Sequence, residues 1–180
     1  MNKDLSKILF SAEEINTKIK EMAKKLDEIY KGEEVTFVGV LKGSLPFYVD
    51  LARNVSFPVI FDFVCASSYG AGTTSSGTLK ISKDLSLPVE GKNVLIIEDI
   101  LDSGNTLYNL YGYILAKNPA SVRLCCLLDK PSRHQKEINV DLIGFTIPDE
   151  FVVGYGLDYA ERYRELPYIG ILKREVYENN

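Results

Sequence analysis

The chain of 180 residues is long enough to bury one sizeable core and too short for two, so a single domain is expected. Hydrophobic residues make up 46% and charged residues 26%, a composition that excludes a mainly disordered chain. With 21 basic against 25 acidic residues the net charge is −4, which provides no global basic field for nucleic acid or an anionic membrane, so an anionic ligand must be held locally.

The opening "MNKDLSKILF" has neither a long apolar run nor a cleavage site, and no segment reaches the roughly 18 apolar residues that span a bilayer. A soluble, cytoplasmic protein is expected. After Ser11, the residues Ile15, Ile19, Met22, Leu26 and Ile29 recur at alternating spacings of four and three, one stripe of an amphipathic helix. Ser11 with Glu14 forms a capping box, and Gly32 is placed to stop the helix. The β-branched run "VTFVGVL" at 35–41 predicts a strand ended by "KGS"; "LPFYVDLAR" then reads as a helix and "PVIFDFV" as a strand. Residues 67–83, "SSYGAGTTSSGTLKISK", carry no sustained apolar pattern and read as a loop too long for a routine connection. There follow a strand "NVLIIED", a helix over about 105–117, a strand "SVRLCCLLD", and the β-rich pieces "DLIGFTI", "FVVGYGL" and "YIGIL". Cys65, Cys125 and Cys126 are odd in number and lie among apolar residues, which argues for small buried side chains in a reducing compartment and against a disulfide framework. His134 has no second histidine with which to form a metal pair and reads as a solvent-facing loop residue. No repeat or linker divides the chain. The alternation of strand and helix through its middle predicts an α/β fold, a mainly parallel twisted sheet flanked by helices on both faces.

In such sheets ligands gather beyond the carboxyl ends of the strands, where Glu98 and Asp99 end "NVLIIED". The following "DSGNT" supplies Asp102, hydroxyls at Ser103 and Thr106, a glycine free to take unusual backbone angles, and the first N–H groups of a helix. Together these bind a phosphate monoester. No "GxxxxGK[ST]" is present, so the loop is not that of a nucleoside triphosphate site. Carboxylates beside a phosphate repel it unless they face other groups. The vicinal hydroxyls of a sugar, or magnesium bound to them, are what carboxylates accept, so a phosphorylated sugar is expected. Asp102, held over the opposite face of that sugar, is the candidate general base. A plain acidic strand end before a capped helix fits a looser pattern than four apolar residues, two acids, two apolar residues and "DSGNT".

This order of residues resembles the phosphoribosyl diphosphate (PRPP) motif of the type I phosphoribosyltransferases. From about 37 to 177 the chain is similar to the hypoxanthine-guanine phosphoribosyltransferase family. Three further stretches carry the resemblance: "LKGS" at 41–44, "SSYG" at 67–70, and "IPDEFVVGYGLDYAERYRELPYIGIL" at 147–172, which belongs to the purine-binding region. The resemblance implies a type I phosphoribosyltransferase fold in one domain of residues 1–180, with a small hood from about 1–10 and 147–180 and a mobile active-site loop at about 67–83. It implies that Glu98 and Asp99 hold the ribose hydroxyls and that Asp102, Ser103, Gly104, Asn105 and Thr106 wrap the 5-phosphate. The backbone around Leu41, Lys42 and Gly43 would meet the diphosphate, with a Leu-Lys peptide that is often cis in this family. Ser68 and Tyr69 would come from the loop, and Arg164 would grip the diphosphate with its guanidinium fork.

On the purine side, Ile100 would line the base site, Lys130 would recognise O6, Phe151 would stack and Val152 would pair through backbone atoms. Asp158 would lie near the second purine substituent. Glu98, Asp99 and Asp158 are the implied ligands of Mg2+, two ions in the closed complex. The implied reaction carries the 5-phosphoribosyl group of PRPP to N9 of hypoxanthine or guanine, with Asp102 sharing the N7 proton, in a homodimer or homotetramer. Ser103 stands where threonine is common and Asn105 where lysine occurs, both retaining a phosphate donor; "RHQKEINV" and the short C-terminus look bacterial. Two alternatives stay open: a xanthine- or adenine-preferring transferase, and a regulator that keeps the PRPP fold but binds nucleic acid. Lys130 disfavours adenine, and the acidic charge with an intact Asp102 disfavours the regulator.

Overall fold

In the computed structural model, which describes residues 2–68 and 79–178, the run Val35–Val40 (β2) is buried along its whole length and forms the middle of a six-stranded sheet. Val59–Ser68 (β3) pairs with it in parallel on one side and Asn93–Leu101 (β5) on the other. Ser121–Asp129 (β6) and Leu142–Thr146 (β7) extend the parallel order, and Leu79–Lys83 (β4) closes the β3 edge in antiparallel sense. Both faces of this sheet are covered, so its strands read as continuous apolar runs whose alternate residues enter different cores. Leu95, Ile97, Cys125 and Leu127 face the cluster built with Ala12–Tyr30 (α1) and Leu45–Asn54 (α2). Val94, Ile96, Leu124 and Cys126 face the cluster under Asn105–Leu115 (α3). Cys125 and Cys126 are thus small core residues on opposite faces, while Cys65 is half-buried.

Helix α1 forms where its apolar stripe predicts, burying Ile15, Ile19, Met22, Ala23, Leu26 and Tyr30. Ser11 Oγ accepts the Glu14 N–H at 3.2 Å and the Ser11 N–H donates to Glu14 Oε2 at 2.8 Å, the reciprocal capping box. The helix stops one residue before Gly32: Lys31 already takes φ 50°, its N–H bonding Asp27 O at 2.9 Å.

Leu5–Phe10 (β1), Val152–Val153 (β8) and Ile169–Leu172 (β9) form a separate antiparallel sheet in the order β1-β9-β8, followed by the short helix Arg174–Tyr177 (α4). Strand β1 has no counterpart among the elements expected from sequence, because only Leu5 is buried in it and two register shifts break its alternation. The expectation of a loop across 67–83 is corrected at both ends. β3 runs to Ser68, and β4 returns against it with Leu79 opposite Ser68 and Lys83 opposite Cys65. Residues 69–78, Tyr69 among them, lie outside the described residues. An edge ribbon that buries little needs no apolar alternation, which is why its sequence conceals it. Asp62, buried in β3, ties down the next segment by accepting the N–H groups of Ser86 and Leu87, with Lys83 Nζ at 3.5 Å. The second sequence expectation to move is the extent of β5, which continues to Leu101 and carries the acids inside the strand. Pairing with β6 persists through Ile100 and Leu101. Among the described residues no helix is long and apolar enough to cross a membrane.

Candidate functional site

Beyond the carboxyl ends of β2, β5 and β6 lie two adjoining cavities. The first, about 240 Å3, is lined by Leu41 and Gly43, by Glu98 to Leu101, and by Asp102, Ser103, Gly104 and Thr106. The second, about 450 Å3, is lined by Lys130, Arg133, Asp149 to Val152, Leu157, Asp158 and Tyr177. Asp99, Ile100 and Asp102 belong to both. Eleven of the implied site residues therefore line the cavities at positions 41, 43, 98–100, 102–104, 106, 130 and 158, and Phe151 and Val152 join them.

The floor of the first cavity is a close approach of two chain segments. A Cβ on Gly43 would fall 1.7 Å from Asp99 Oδ2, and one on Gly156 would fall 1.9 Å from Gly43 O. Only glycine permits either contact. The Leu41–Lys42 peptide is cis, as the resemblance implies. Ser44 caps no N–H; its hydroxyl donates to Val40 O at 2.7 Å and knits the turn to β2. At the start of α3, Gly104 takes φ 78° and the Asn105 N–H lies 3.3 Å from Ser103 Oγ. The Asn105 side chain does not enter the cavity: its amide donates to Gln135 Oε1 at 2.8 Å.

Glu98 and Asp99 form a buried carboxylate pair. The Asp99 N–H donates to Glu98 Oε1 at 3.1 Å and the Ile100 N–H to Asp99 Oδ1 at 2.8 Å. Burial, and then the neighbouring Asp99 carboxylate, push Glu98 well above the ordinary carboxylate range; burial pushes Asp99 up as well. Such a pair is relieved by hydroxyl donors or by a cation. Its oxygen-only donor set suits magnesium, which takes one or two carboxylates and fills its shell with water and substrate oxygens. Among the described residues no three metal-ligating side chains converge on one point; Asp158 lines only the second cavity.

Asp102 Oδ1 is buried and accepts no hydrogen bond among the described residues. Across the second cavity, Lys130 is buried at the end of β6, its ammonium donating to Glu150 O at 3.0 Å. Phe151 stacks on Tyr177 with ring centroids 4.9 Å apart and meets the edge of Tyr159 at 5.6 Å. Val152 is buried in β8 opposite Ile171. Arg164 donates from NH1 to Gly156 O at 2.7 Å and pairs through NH2 with Asp158 at 2.8 Å, while its Nε has no partner among the described residues. Lys42 is not among the residues lining the first cavity, and its ammonium pairs with Glu161 at 3.1 Å. Ser68 ends β3, two residues after the cavity-lining Ala66.

Several neighbours were not anticipated. Arg133 sets its Nε 3.4 Å from Asp102 Oδ1 and its NH1 3.9 Å from Asp149, placing a cation at the mouth of the second cavity. Tyr177 supplies the stacking partner of Phe151, and Leu157 and Glu150 complete the wall. His134 is an exposed loop residue as expected, but its ring also makes an unanticipated contact: Nε2 lies 2.7 Å from Asp129 Oδ1, which anchors the 3-10 turn Pro131–Arg133 to the end of β6. A strand-end acid five residues before a histidine was the available signal, but five residues have no fixed geometry across a turn.

Comparison with known proteins agrees with this geometry. A model of the phosphoribosyl transferase domain family matches residues 7–160. The hypoxanthine-guanine phosphoribosyltransferase of Bacillus subtilis is 50% identical over 179 residues, covering 99% of both chains. The bifunctional protein TilS/HprT of Listeria monocytogenes is 53% identical over 177 residues, 98% of this chain, and the chain spans 27% of that relative's length. A crystal structure of a hypoxanthine phosphoribosyltransferase from Staphylococcus aureus is similar with a TM-score of 0.93 and 46% identity, covering 97% of this chain and 95% of that one. With a matching family model over most of its length and near-full-length relatives at about half identity, the chain belongs to the phosphoribosyl transferase family, among the hypoxanthine-guanine phosphoribosyltransferases.

Proposed function

We propose that this chain transfers the 5-phosphoribosyl group of PRPP to N9 of hypoxanthine or guanine, forming inosine or guanosine monophosphate and releasing diphosphate, as a step of purine salvage in the cytoplasm. One observation carries the reading: an acid- and glycine-lined cavity and an aromatic- and lysine-lined cavity meet at Asp99, Ile100 and Asp102. That is the juxtaposition a sugar phosphate and a flat heterocycle need in order to react. The nearly full-length similarity to hypoxanthine-guanine phosphoribosyltransferases supports the same substrates.

In this reading the N–H groups opening α3, with the hydroxyls of Ser103 and Thr106 and the turn at Gly104 and Asn105, hold the 5-phosphate. Glu98 and Asp99 accept the ribose hydroxyls. The backbone around Leu41, Lys42 and Gly43 meets the diphosphate from one side and the Arg164 guanidinium fork from the other. Ser68 and Tyr69 belong to the same PRPP set. Ile100, Val152 and Phe151 form the slot for the purine, and Asp158 lies beside its second substituent. Lys130, a donor only, suits the O6 of hypoxanthine or guanine and meets the amino group of adenine badly.

Asp102 accepts or shares the N7 proton while N9 attacks C1 of the ribose. The C1–O bond to diphosphate breaks with its electron pair leaving on the diphosphate. The sugar passes through a state close to an oxocarbenium ion, so fixed charges and orientation supply most of the acceleration. Two magnesium ions, one that Glu98 and Asp99 would hold and one that Asp158 would hold, would neutralise the leaving diphosphate.

The domain spans residues 1–180, with a hood from about 1–10 and 147–180; the separate β1-β9-β8 sheet supports that division. Assembly as a homodimer or homotetramer is part of the same reading, supported by Leu45 and Phe61, which are 45% and 52% exposed beside Tyr48. The test is to supply the protein with PRPP, magnesium and, separately, hypoxanthine, guanine, xanthine and adenine, and to follow nucleotide formation. Products are expected from hypoxanthine and guanine and none from adenine. Absence of product from every purine would reject the reading.

A further inference from the structure

We propose that the Glu161 carboxylate is an internal counter-ion that occupies the Lys42 and Arg164 side chains flanking the diphosphate site before substrate arrives and so sets how tightly the leaving group is held. The inference rests on the phosphoribosyl transfer proposed above.

Tyr159 and Arg162 bond each other through N–H and C=O in both directions, at 3.2 and 3.1 Å, and close a two-residue turn at Ala160 and Glu161. Both turn residues have positive φ, 50° and 63°. That is the type I′ arrangement, which favours Asn-Gly because other L residues are strained there. A turn that its own residues disfavour must be held by contacts made elsewhere. Three are present. The Glu161 N–H donates to Asp158 Oδ2 at 2.9 Å, and Glu161 Oε2 lies 3.1 Å from Lys42 Nζ and 3.4 Å from Arg164 NH2.

A single carboxylate oxygen therefore meets Arg164, assigned above to the diphosphate, and the ammonium of Lys42, whose backbone belongs to the turn that meets it. Those cations come from distant parts of the chain, the turn after β2 and the segment after β8, so the convergence is not a by-product of helix or strand periodicity. The Lys42 and Glu161 side chains are 65% and 64% exposed. Water screens such a pair, so a diphosphate bearing several charged oxygens can displace the carboxylate. The same carboxylate then competes for Lys42 and Arg164 when the product departs. Arg164 stays oriented throughout by Gly156 O and Asp158, which leaves exchange at Lys42 and at the outer edge of the guanidinium.

The test titrates inorganic diphosphate, with and without magnesium, into the full chain and two variants by calorimetry. Glu161→Gln removes the charge at constant size. Ala160→Asn/Glu161→Gly removes it while installing residues that favour the turn, so it separates the counter-ion from a merely structural role. Two weak exposed contacts predict that both variants bind diphosphate about 3- to 10-fold more tightly than the parent. The KM for PRPP should fall in parallel while the KM for the purine stays unchanged. Equal or weaker diphosphate binding by the double variant, with the parent still binding and still forming nucleotide, overturns the counter-ion and leaves the transfer reading standing. No diphosphate binding by any of the three, together with no nucleotide formation, overturns both.

Discussion

Replacing Gly156 by alanine probes the contact on which the two cavities depend. Its Cβ would lie 1.9 Å from Gly43 O, with Gly43 C and Pro46 Cδ each at 3.0 Å. The obstacle is backbone on one side and a proline ring on the other, so no flexible side chain can swing away. The two segments must part by roughly 1 Å to restore even a tight contact. Gly156 also sits at φ 99°, where an L side chain is strained by about 1–3 kcal/mol. Because Gly43 lines the first cavity and Leu157 the second, the displacement opens the gap between the reactants. Misplacement by ~1 Å is enough to lower turnover on the order of 100-fold. The control is Gly32→Ala, where φ is 86° but nothing lies within 4 Å of the new methyl, so the strain is present without the clash. Steady-state nucleotide formation and urea unfolding of both variants separate the two effects. Gly156→Ala should lose about 100-fold in kcat/KM and at least ~2 kcal/mol of stability. Gly32→Ala should lose about 1 kcal/mol and keep its kinetics. If the two variants behaved alike, the close approach would not be what aligns the cavities.

Three more outcomes are expected. Asp102→Asn should lower turnover by at least ~100-fold while PRPP binding persists in a direct titration; near-normal turnover would remove Asp102 as the base. Asp62 is pulled upward by burial, but the N–H groups of Phe63, Leu87 and Ser86 and the Lys83 ammonium outweigh this and hold its carboxyl below the usual range. A depressed folded value means stability that is present above the unfolded value near pH 4 and is lost as pH falls through the folded one. Asp62→Asn should therefore be about 2 kcal/mol less stable at neutral pH, and the deficit should shrink on acidification below roughly pH 4 in denaturant titrations; a deficit independent of pH would contradict this. Ser11→Ala should cost about 1 kcal/mol by the same measurement, since it opens the capping box of α1, and no loss would show that the cap is redundant.

The local patterns were legible wherever a segment's own period reports a buried face. The stripe from Ile15 to Leu26 marked α1, and the runs at Val35–Val40 and Val94–Ile97 marked strands covered on both faces. The turn from Asp102 to Thr106, with its glycine at positive φ, was readable because small residues and acids in that order have few other uses. Strands β1 and β4 were not, since each buries too little to impose alternation.

What only the tertiary structure decided lies between segments far apart in the chain: Gly156 against Gly43, Arg133 beside Asp102, Tyr177 on Phe151, and Glu161 reaching Lys42 across 119 positions. The Asn105 side chain, equally able by chemistry to face a phosphate, turns instead to Gln135. Periodicity and turn chemistry depend on neighbours within a few residues and are therefore set by the sequence directly. Contacts between strand ends and returning loops depend on how the sheet twists and packs, and no local pattern carries that information.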